Sequence, residues 1–205
     1  PHQYRPPNKL LDFCKSRTAG KAPFTVPPLG IHEVGKLITS MANKKSCGPD
    51  EISPKILKIS LPYIVESLTF VYNLAIECNT FPSLFKTSKV IPLPKSKDTA
   101  DVNNYRPISL LSVLSKPLER HVQQHLMSYL ESRNLIHSLQ SGFHSKHSCH
   151  TALTRLVDTW LQAIHDSKIT GSLFLDLRKA FDLVNHDILL RKLELYNQVD
   201  YQHTC

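Results

Sequence analysis

The sequence predicts a mixed α/β (α+β) chain, rich in helix and poor in strand. Three observations carry that expectation. Apolar residues recur at helical spacing through several long segments. A short strand-like run at 90–93 sits among lysines. A continuous apolar run, Leu173, Phe174 and Leu175, opens after Gly171 and stops at Asp176, as a buried strand would. With 205 residues, the chain can build one ordinary domain or two small lobes. Its 41% hydrophobic content argues for a globular protein.

Taken in order, residues 1–29 carry Pro6, Pro7, Pro27 and Pro28 and little periodicity, so they read as an extended or disordered lead-in. Residues 30–205 read as the folded part. A helix is expected over 31–42, with Val34, Leu37, Ile38 and Met41 on one side. A turn follows over 46–50, around Gly48 and Pro49. Ser53 is the expected N-cap of the next helix, with Pro54 at its first position. Pro62 is expected to restart that helix, whose second part would bury Ile64, Leu68, Val71 and Ala75.

After the strand at 90–93, the polar residues 96–104 form a loop. Two further helices follow over 117–133 and 151–165. The first has a stripe of Leu118, Val122, Leu126 and Leu130; the second would bury Leu153, Leu156, Val157, Trp160, Leu161 and Ile164. Asp187 is the expected N-cap of a last helix. There is no internal repeat and no low-complexity tract.

The formal charge of +8 and a pI near 9.3 suit a polyanionic partner, although a solvated basic face has the same composition. Lys86, Lys89, Lys95 and Lys97 gather around the expected strand, where they suit phosphate contacts. The five cysteines are scattered and form no CxxC pair, which favours free thiols in a reducing compartment. No apolar run approaches the about 20 residues of a membrane span. The expectation is an intracellular protein, nuclear or cytoplasmic, with no membrane partner.

Asp176 is the most informative single residue. Burying a lone charge at the end of an apolar strand is costly, so the carboxylate should be open. It could simply cap the next turn. It could also serve as a hard-cation ligand, since magnesium is held by one or two carboxylates plus substrate phosphates.

The run from Leu173 through Asp176 to Lys179, Ala180, Phe181 and Asp182 resembles the first catalytic motif of reverse transcriptases, in the form used by jockey-like non-LTR retrotransposons (long interspersed elements). Other blocks resemble the same family in the same order. Cys47-Gly48-Pro49-Asp50-Glu51-Ile52, followed by Pro54-Lys55-Ile56-Leu57, is similar to its opening motif. Lys89-Val90-Ile91-Pro92-Leu93-Pro94-Lys95 and Asn104-Tyr105-Arg106-Pro107-Ile108-Ser109-Leu110-Leu111 are similar to its two fingers motifs. Gln140-Ser141-Gly142-Phe143, with His147-Ser148-Cys149 and Thr151-Ala152-Leu153, is similar to the block before the first carboxylate.

The resemblance implies the fingers and the start of the palm of a right-hand polymerase, with an incomplete antiparallel palm sheet and no thumb. It implies RNA-directed DNA polymerisation with an RNA template, an RNA–DNA duplex, dNTPs and Mg2+ in the complete protein. Asp176 becomes the catalytic carboxylate and metal ligand, with the Leu177 carbonyl as a second contact. Arg106 and Lys95 are implied at the triphosphate, where a guanidinium supplies a bidentate donor and an ammonium a point charge. Phe181 takes the place of a ring that excludes a ribose 2′-hydroxyl, and Ala180 leaves room for the sugar. Asp182 reads as structural. Gln140, Gly142 and Phe143 are implied at the template.

Each of these residues also has a plain structural reading: core packing for Phe181, surface cations for Lys95 and Arg106. Two positions depart from the family pattern. His144 stands where an arginine is common and Lys146 where a glycine is common. A zinc reading of His144, His147, Cys149 and His150 is disfavoured because no second ligand pair is evident.

One absence limits the chemistry. The family's aromatic-x-Asp-Asp hairpin has no counterpart, for nowhere in the 205 residues are two aspartates adjacent. A single carboxylate cannot assemble a two-metal site, so this chain alone is expected to be inactive. The alternatives are a non-catalytic nucleic-acid-binding module and an inert remnant of a decayed element.

Overall fold

A computed structural model describes residues 8–95, 101, 104–145, 147–177 and 180–197. It has the mixed, helix-rich architecture expected. In chain order the elements are α1 (Asn8–Thr18), α2 (Ile31–Thr39), α3 (Pro54–Glu77), a 3-10 turn (Ser83–Lys86), β1 (Ser88–Pro94), β2 (Tyr105–Leu111), α4 (Ser115–Ser132), α5 (Cys149–His165) and α6 (His186–Asn197). They divide into two units, Phe24–Tyr129 and Pro1–Pro23 with Leu130–Cys205.

The Phe24–Tyr129 unit is organised around α3. Its start is as expected: the Ser53 hydroxyl accepts from the Ile56 amide at 3.3 Å, and Pro54 follows at the first helical position. Pro62, expected to restart the helix, lies inside it instead. An interior proline costs about 3 kcal/mol. That cost is offset because Leu57, Leu61, Leu68 and Tyr72 share one stripe across it and pack together. The stripe also moves the burial forecast by one residue: Tyr72 is buried, and Val71 is exposed.

Leu29, Val34, Leu37 and Ile38 from the lead-in and α2 complete this core with Phe85, Val113 and Leu118. The segment before α2 is tied to α3 by the Asn73 amide. Its Oδ1 accepts from the Leu29 amide at 2.7 Å, and its Nδ2 donates to the Leu29 carbonyl at 2.9 Å. The Tyr72 hydroxyl donates to the Leu114 carbonyl at 2.7 Å. Burial raises the pKa of that hydroxyl above its ordinary value. By length and composition alone α3 is long and apolar enough to cross a membrane, although Glu66 interrupts its apolar run as the sequence expectation requires. Its Leu57 and Tyr72 are nonetheless buried in the core.

β1 and β2 pair antiparallel from Ser88↔Leu111 to Pro94↔Tyr105. The Lys95 amide extends the ladder by donating to the Asn104 carbonyl at 2.7 Å. Counting back from that bond, Pro94 and the facing pair Pro92 and Pro107 fall at alternate, non-hydrogen-bonded positions. Their missing N–H groups would point away from the partner strand. The ladder loses nothing, and both outer edges are blocked against further strands.

In the other unit, α1 forms within the stretch expected to be extended, between the proline pairs rather than through them, and its Cys14 and Thr18 are buried. The Arg17 guanidinium donates to the Asn134 carbonyl, and Arg133 donates to the Ala22 carbonyl at 2.6 Å. α5 opens with a capping box: Ser148 Oγ accepts from the Thr151 amide at 3.3 Å, and Thr151 Oγ1 accepts from the Ser148 amide at 2.9 Å. Its helical stripe is present, but no residue on it is buried, and Leu153, Val157, Leu161 and Ile164 are exposed. The cap of α6 is Asn185, whose Oδ1 accepts from the Ile188 amide at 3.1 Å, and Asp187 lies in the first turn.

Helices α3, α4 and α5 end alike, on Asn79, Asn134 and Ser167 in the left-handed region. In each, the following amide reaches back five residues: Thr80 to the Ala75 carbonyl, Leu135 to Leu130 and Lys168 to Ala163.

The strand expected at Leu173, Phe174 and Leu175 is not formed. Residues 171–177 are irregular, and Leu173 is 84% exposed. A strand needs a ladder partner, and among the described residues the only sheet is β1–β2.

Candidate nucleotide and nucleic-acid site

The hairpin gathers two of the predicted residues. Leu93 faces Arg106, and directly opposed residues in an antiparallel pair project from the same face. Lys95 lies two residues beyond Leu93 and shares that face by the two-residue period of a strand. Lys89, Ile91 and Leu93 therefore stand together, opposite Leu110, Ile108 and Arg106, and the bond from the Lys95 amide to Asn104 carries the same alternation one step past β1. Ile91, Leu93, Ile108 and Arg106 are exposed. The result is an open apolar surface with cations at its rim, where phosphates could be held while the chain's own core lies elsewhere. Lys86 sits in the 3-10 turn just ahead, and Lys97 lies outside the described residues.

This hairpin is anchored by the Gly48-Pro49-Asp50 turn. A Cβ on Gly48 would lie 2.6 Å from the Ser112 amide nitrogen and 2.7 Å from the Leu111 carbonyl carbon. Only glycine permits that approach of backbone to backbone. Asp50 accepts from the Ser112 hydroxyl through Oδ2 and from the Ile52 amide through Oδ1, the latter at 3.2 Å. The turn expected over 46–50 is present, with the Glu51 amide bonded to the Gly48 carbonyl at 3.2 Å. Its work in holding the end of β2 was not legible from its residue types.

The remaining predicted residues lie in the unit that holds α5. Gln140, Gly142 and Phe143 occupy one turn, in which Gln140 Nε2 donates to the Gly142 carbonyl at 3.3 Å. Phe143 has φ 58°, a left-handed conformation that costs a non-glycine residue roughly 1–3 kcal/mol. Its ring meets that of Phe181 edge to face, with centroids 5.9 Å apart at 88°. The sequence offered no sign of this pair, which brings the candidate template turn to the candidate sugar-gate ring. Both rings are otherwise open, Phe143 at 84% and Phe181 at 75% exposure. Ala180 and Asp182 are exposed beside it.

Asp176 and Leu177 are exposed on the irregular segment 171–177. Among the described residues no trio of Asp, Glu, His or Cys ligand atoms includes Asp176. The donor set therefore does not fit a pair of Mg2+ ions, which needs several carboxylate oxygens in one place. His144 takes the place where arginine is common; its Nε2 is 3.5 Å from Glu131, and its ring meets that of His147 at 4.5 Å. Lys146 lies outside the described residues. His144, His147, Cys149 and His150 form no such trio either.

Comparison with known proteins adds the family. The profile described as reverse transcriptase (RNA-dependent DNA polymerase) matches residues 93–201. A probable RNA-directed DNA polymerase from transposon BS of Drosophila melanogaster is 32% identical over 82% of this chain and 19% of its own length. The RNA-directed DNA polymerase from mobile element jockey is 32% identical in Drosophila funebris, over 80% of this chain and 18% of that protein. Its Drosophila melanogaster counterpart is 29% identical over 94% of this chain and 21% of that protein. The chain thus spans about a fifth of the length of these relatives.

Proposed function

Because this chain belongs to the reverse transcriptase (RNA-dependent DNA polymerase) family, we propose that it is the fingers and first palm segment of a mobile-element polymerase that copies RNA into DNA. The hairpin face supports this reading most directly, since it presents Lys95 and Arg106 together on an exposed surface. There Arg106 grips the triphosphate of a dNTP through paired N–H donors, and Lys95 adds charge on the γ-phosphate side. Phe181 restricts the sugar with Ala180 beside it, and the Gln140–Gly142–Phe143 turn bears on the template strand.

Asp176, with the Leu177 carbonyl, contributes to a divalent-metal centre, Mg2+ in the complete enzyme. This chain supplies one of the carboxylates such a centre needs, so no polymerisation step is assigned to the 205 residues. Its partners are an RNA template, the RNA–DNA duplex and dNTPs. The described cysteines, Cys14, Cys47, Cys78 and Cys149, are free thiols, which supports a nuclear or cytoplasmic setting.

The test is titration of the chain with an RNA–DNA duplex at several salt concentrations, beside primer extension on RNA. Binding that weakens with salt, is reduced by Arg106→Ala and yields no extension is the expected result. Salt-insensitive or absent binding would leave an inert remnant, and extension by this chain would refute the ligand argument.

A further inference from the structure

The Phe24–Tyr129 unit holds a second cluster of ligand-type side chains that nothing above uses. We propose that Glu33, His121 and His125 form a binding site for a divalent transition-metal ion of the zinc class, joining α2 to α4. This proposal is independent of the polymerase reading.

His121 carries the argument. It is 1% exposed, and both ring nitrogens are engaged. Nε2 lies 2.8 Å from the Pro27 carbonyl oxygen, which can only accept, so Nε2 carries the proton. In a neutral ring Nδ1 is then a bare lone pair, and it faces Glu33 Oε1 at 3.0 Å. Two lone pairs at that separation repel unless a positive centre lies with them, either a proton or a metal ion.

The surroundings favour the ion. His125 lies four residues after His121, one turn along the same helix face, and their rings meet at 4.5 Å and 65°. One ligand atom from each of Glu33, His121 and His125 lies within 4.8 Å of the others, a grouping that a shared proton would not require. A metal-bound histidine ordinarily donates its other N–H to a carbonyl or carboxylate, as His121 does to Pro27.

Two imidazoles and a carboxylate suit zinc and its neighbours, whereas Mg2+ prefers oxygen ligands throughout. Zinc bonds of about 2.0–2.2 Å set tetrahedral ligand atoms roughly 3.3 Å apart, so Glu33 eases back slightly from its 3.0 Å contact with His121 while His125 closes up. Glu33, 44% exposed, and the half-buried His125 have room to do so. Three protein ligands leave a fourth position for water.

The test uses the full 205-residue chain, stripped with chelator, then titrated with Zn2+ by calorimetry and with Co2+ by visible absorption. One equivalent should bind, with Co2+ ligand-field bands and no thiolate charge-transfer band. His125→Gln and Glu33→Gln, both partly exposed positions, should each weaken binding by more than the roughly 100-fold upper end seen for loss of a supporting partner, with the circular dichroism unchanged. A His144→Gln, His147→Gln double variant should bind as tightly as the parent. The proposal is overturned if no equivalent binds, if His125→Gln and Glu33→Gln bind like the parent, or if the double variant loses the metal. The Glu33–His121 contact would then share a proton only.

Discussion

The two units are built from similar parts and differ in how those parts are covered. In the Phe24–Tyr129 unit, α2, α3 and α4 turn apolar stripes towards one another, and Val34, Ile38, Leu57 and Tyr72 are lost to solvent. In the other unit, α5 has a better-formed N-terminus than α2, yet its stripe stays open. Among the described residues of that unit, Cys14 and Leu135 are the only buried apolar side chains. Local sequence and caps set where a helix begins and ends, whereas most of its stability comes from burying its stripe against a facing surface elsewhere in the chain. The candidate triphosphate residues stand on the unit with its own core, and the candidate metal carboxylate stands on the unit without one.

Mutations should separate the units by magnitude. The largest effect is expected from Leu57→Ala, which opens a cavity in the core and should cost about 2–5 kcal/mol in denaturant unfolding. Gly48→Ala should follow at about 1–3 kcal/mol, because the added Cβ meets backbone atoms of Leu111 and Ser112 that cannot step aside. Under the proposed function, the same variant should also weaken duplex binding by displacing β2.

Tyr72→Phe should cost about 1–3 kcal/mol, since the Leu114 carbonyl loses its donor. It should also change the pH profile. The Tyr72 hydroxyl has its pKa raised from the usual 10.0, so its contribution is fully present below that pH. Above it, the unfolded chain releases the proton and the folded chain keeps it, so stability falls as pH rises. Alkaline melts of the parent and of Tyr72→Phe should therefore converge. The smallest effect is expected from Leu161→Gln on exposed α5, within about 0.5 kcal/mol of the parent by the same unfolding measurement. A loss above 2 kcal/mol there would mean that α5 is packed.

Much of this architecture was legible in the sequence. Ser53 and Pro54 announced α3, the lysine-flanked apolar run announced β1, and the stripe of Leu118, Val122, Leu126 and Leu130 announced α4. What failed involved distant partners. Pro62 is tolerated because the core holds α3 on both sides of it, and a local rule cannot see that core. The run Leu173, Phe174 and Leu175 has strand composition, but composition does not provide a ladder.

The candidate site divides in the same way. The shared face of Lys95 and Arg106 follows once the register is known, whereas the meeting of Phe143 with Phe181 links residues 38 apart and has no local signature. The meeting of His121 with Glu33 was not read from the sequence, because the two lie 88 residues apart.

Hydrogen exchange of the backbone amides in the 205-residue chain tests this contrast most directly. Slow exchange is expected through α3 and the β1–β2 ladder, and near-unprotected exchange at Phe174, Leu175, Asp176 and Leu177. Protection of those four amides equal to that of β1 would mean that a palm strand is already paired, and would contradict the account of Asp176 as a carboxylate without a sheet to hold it.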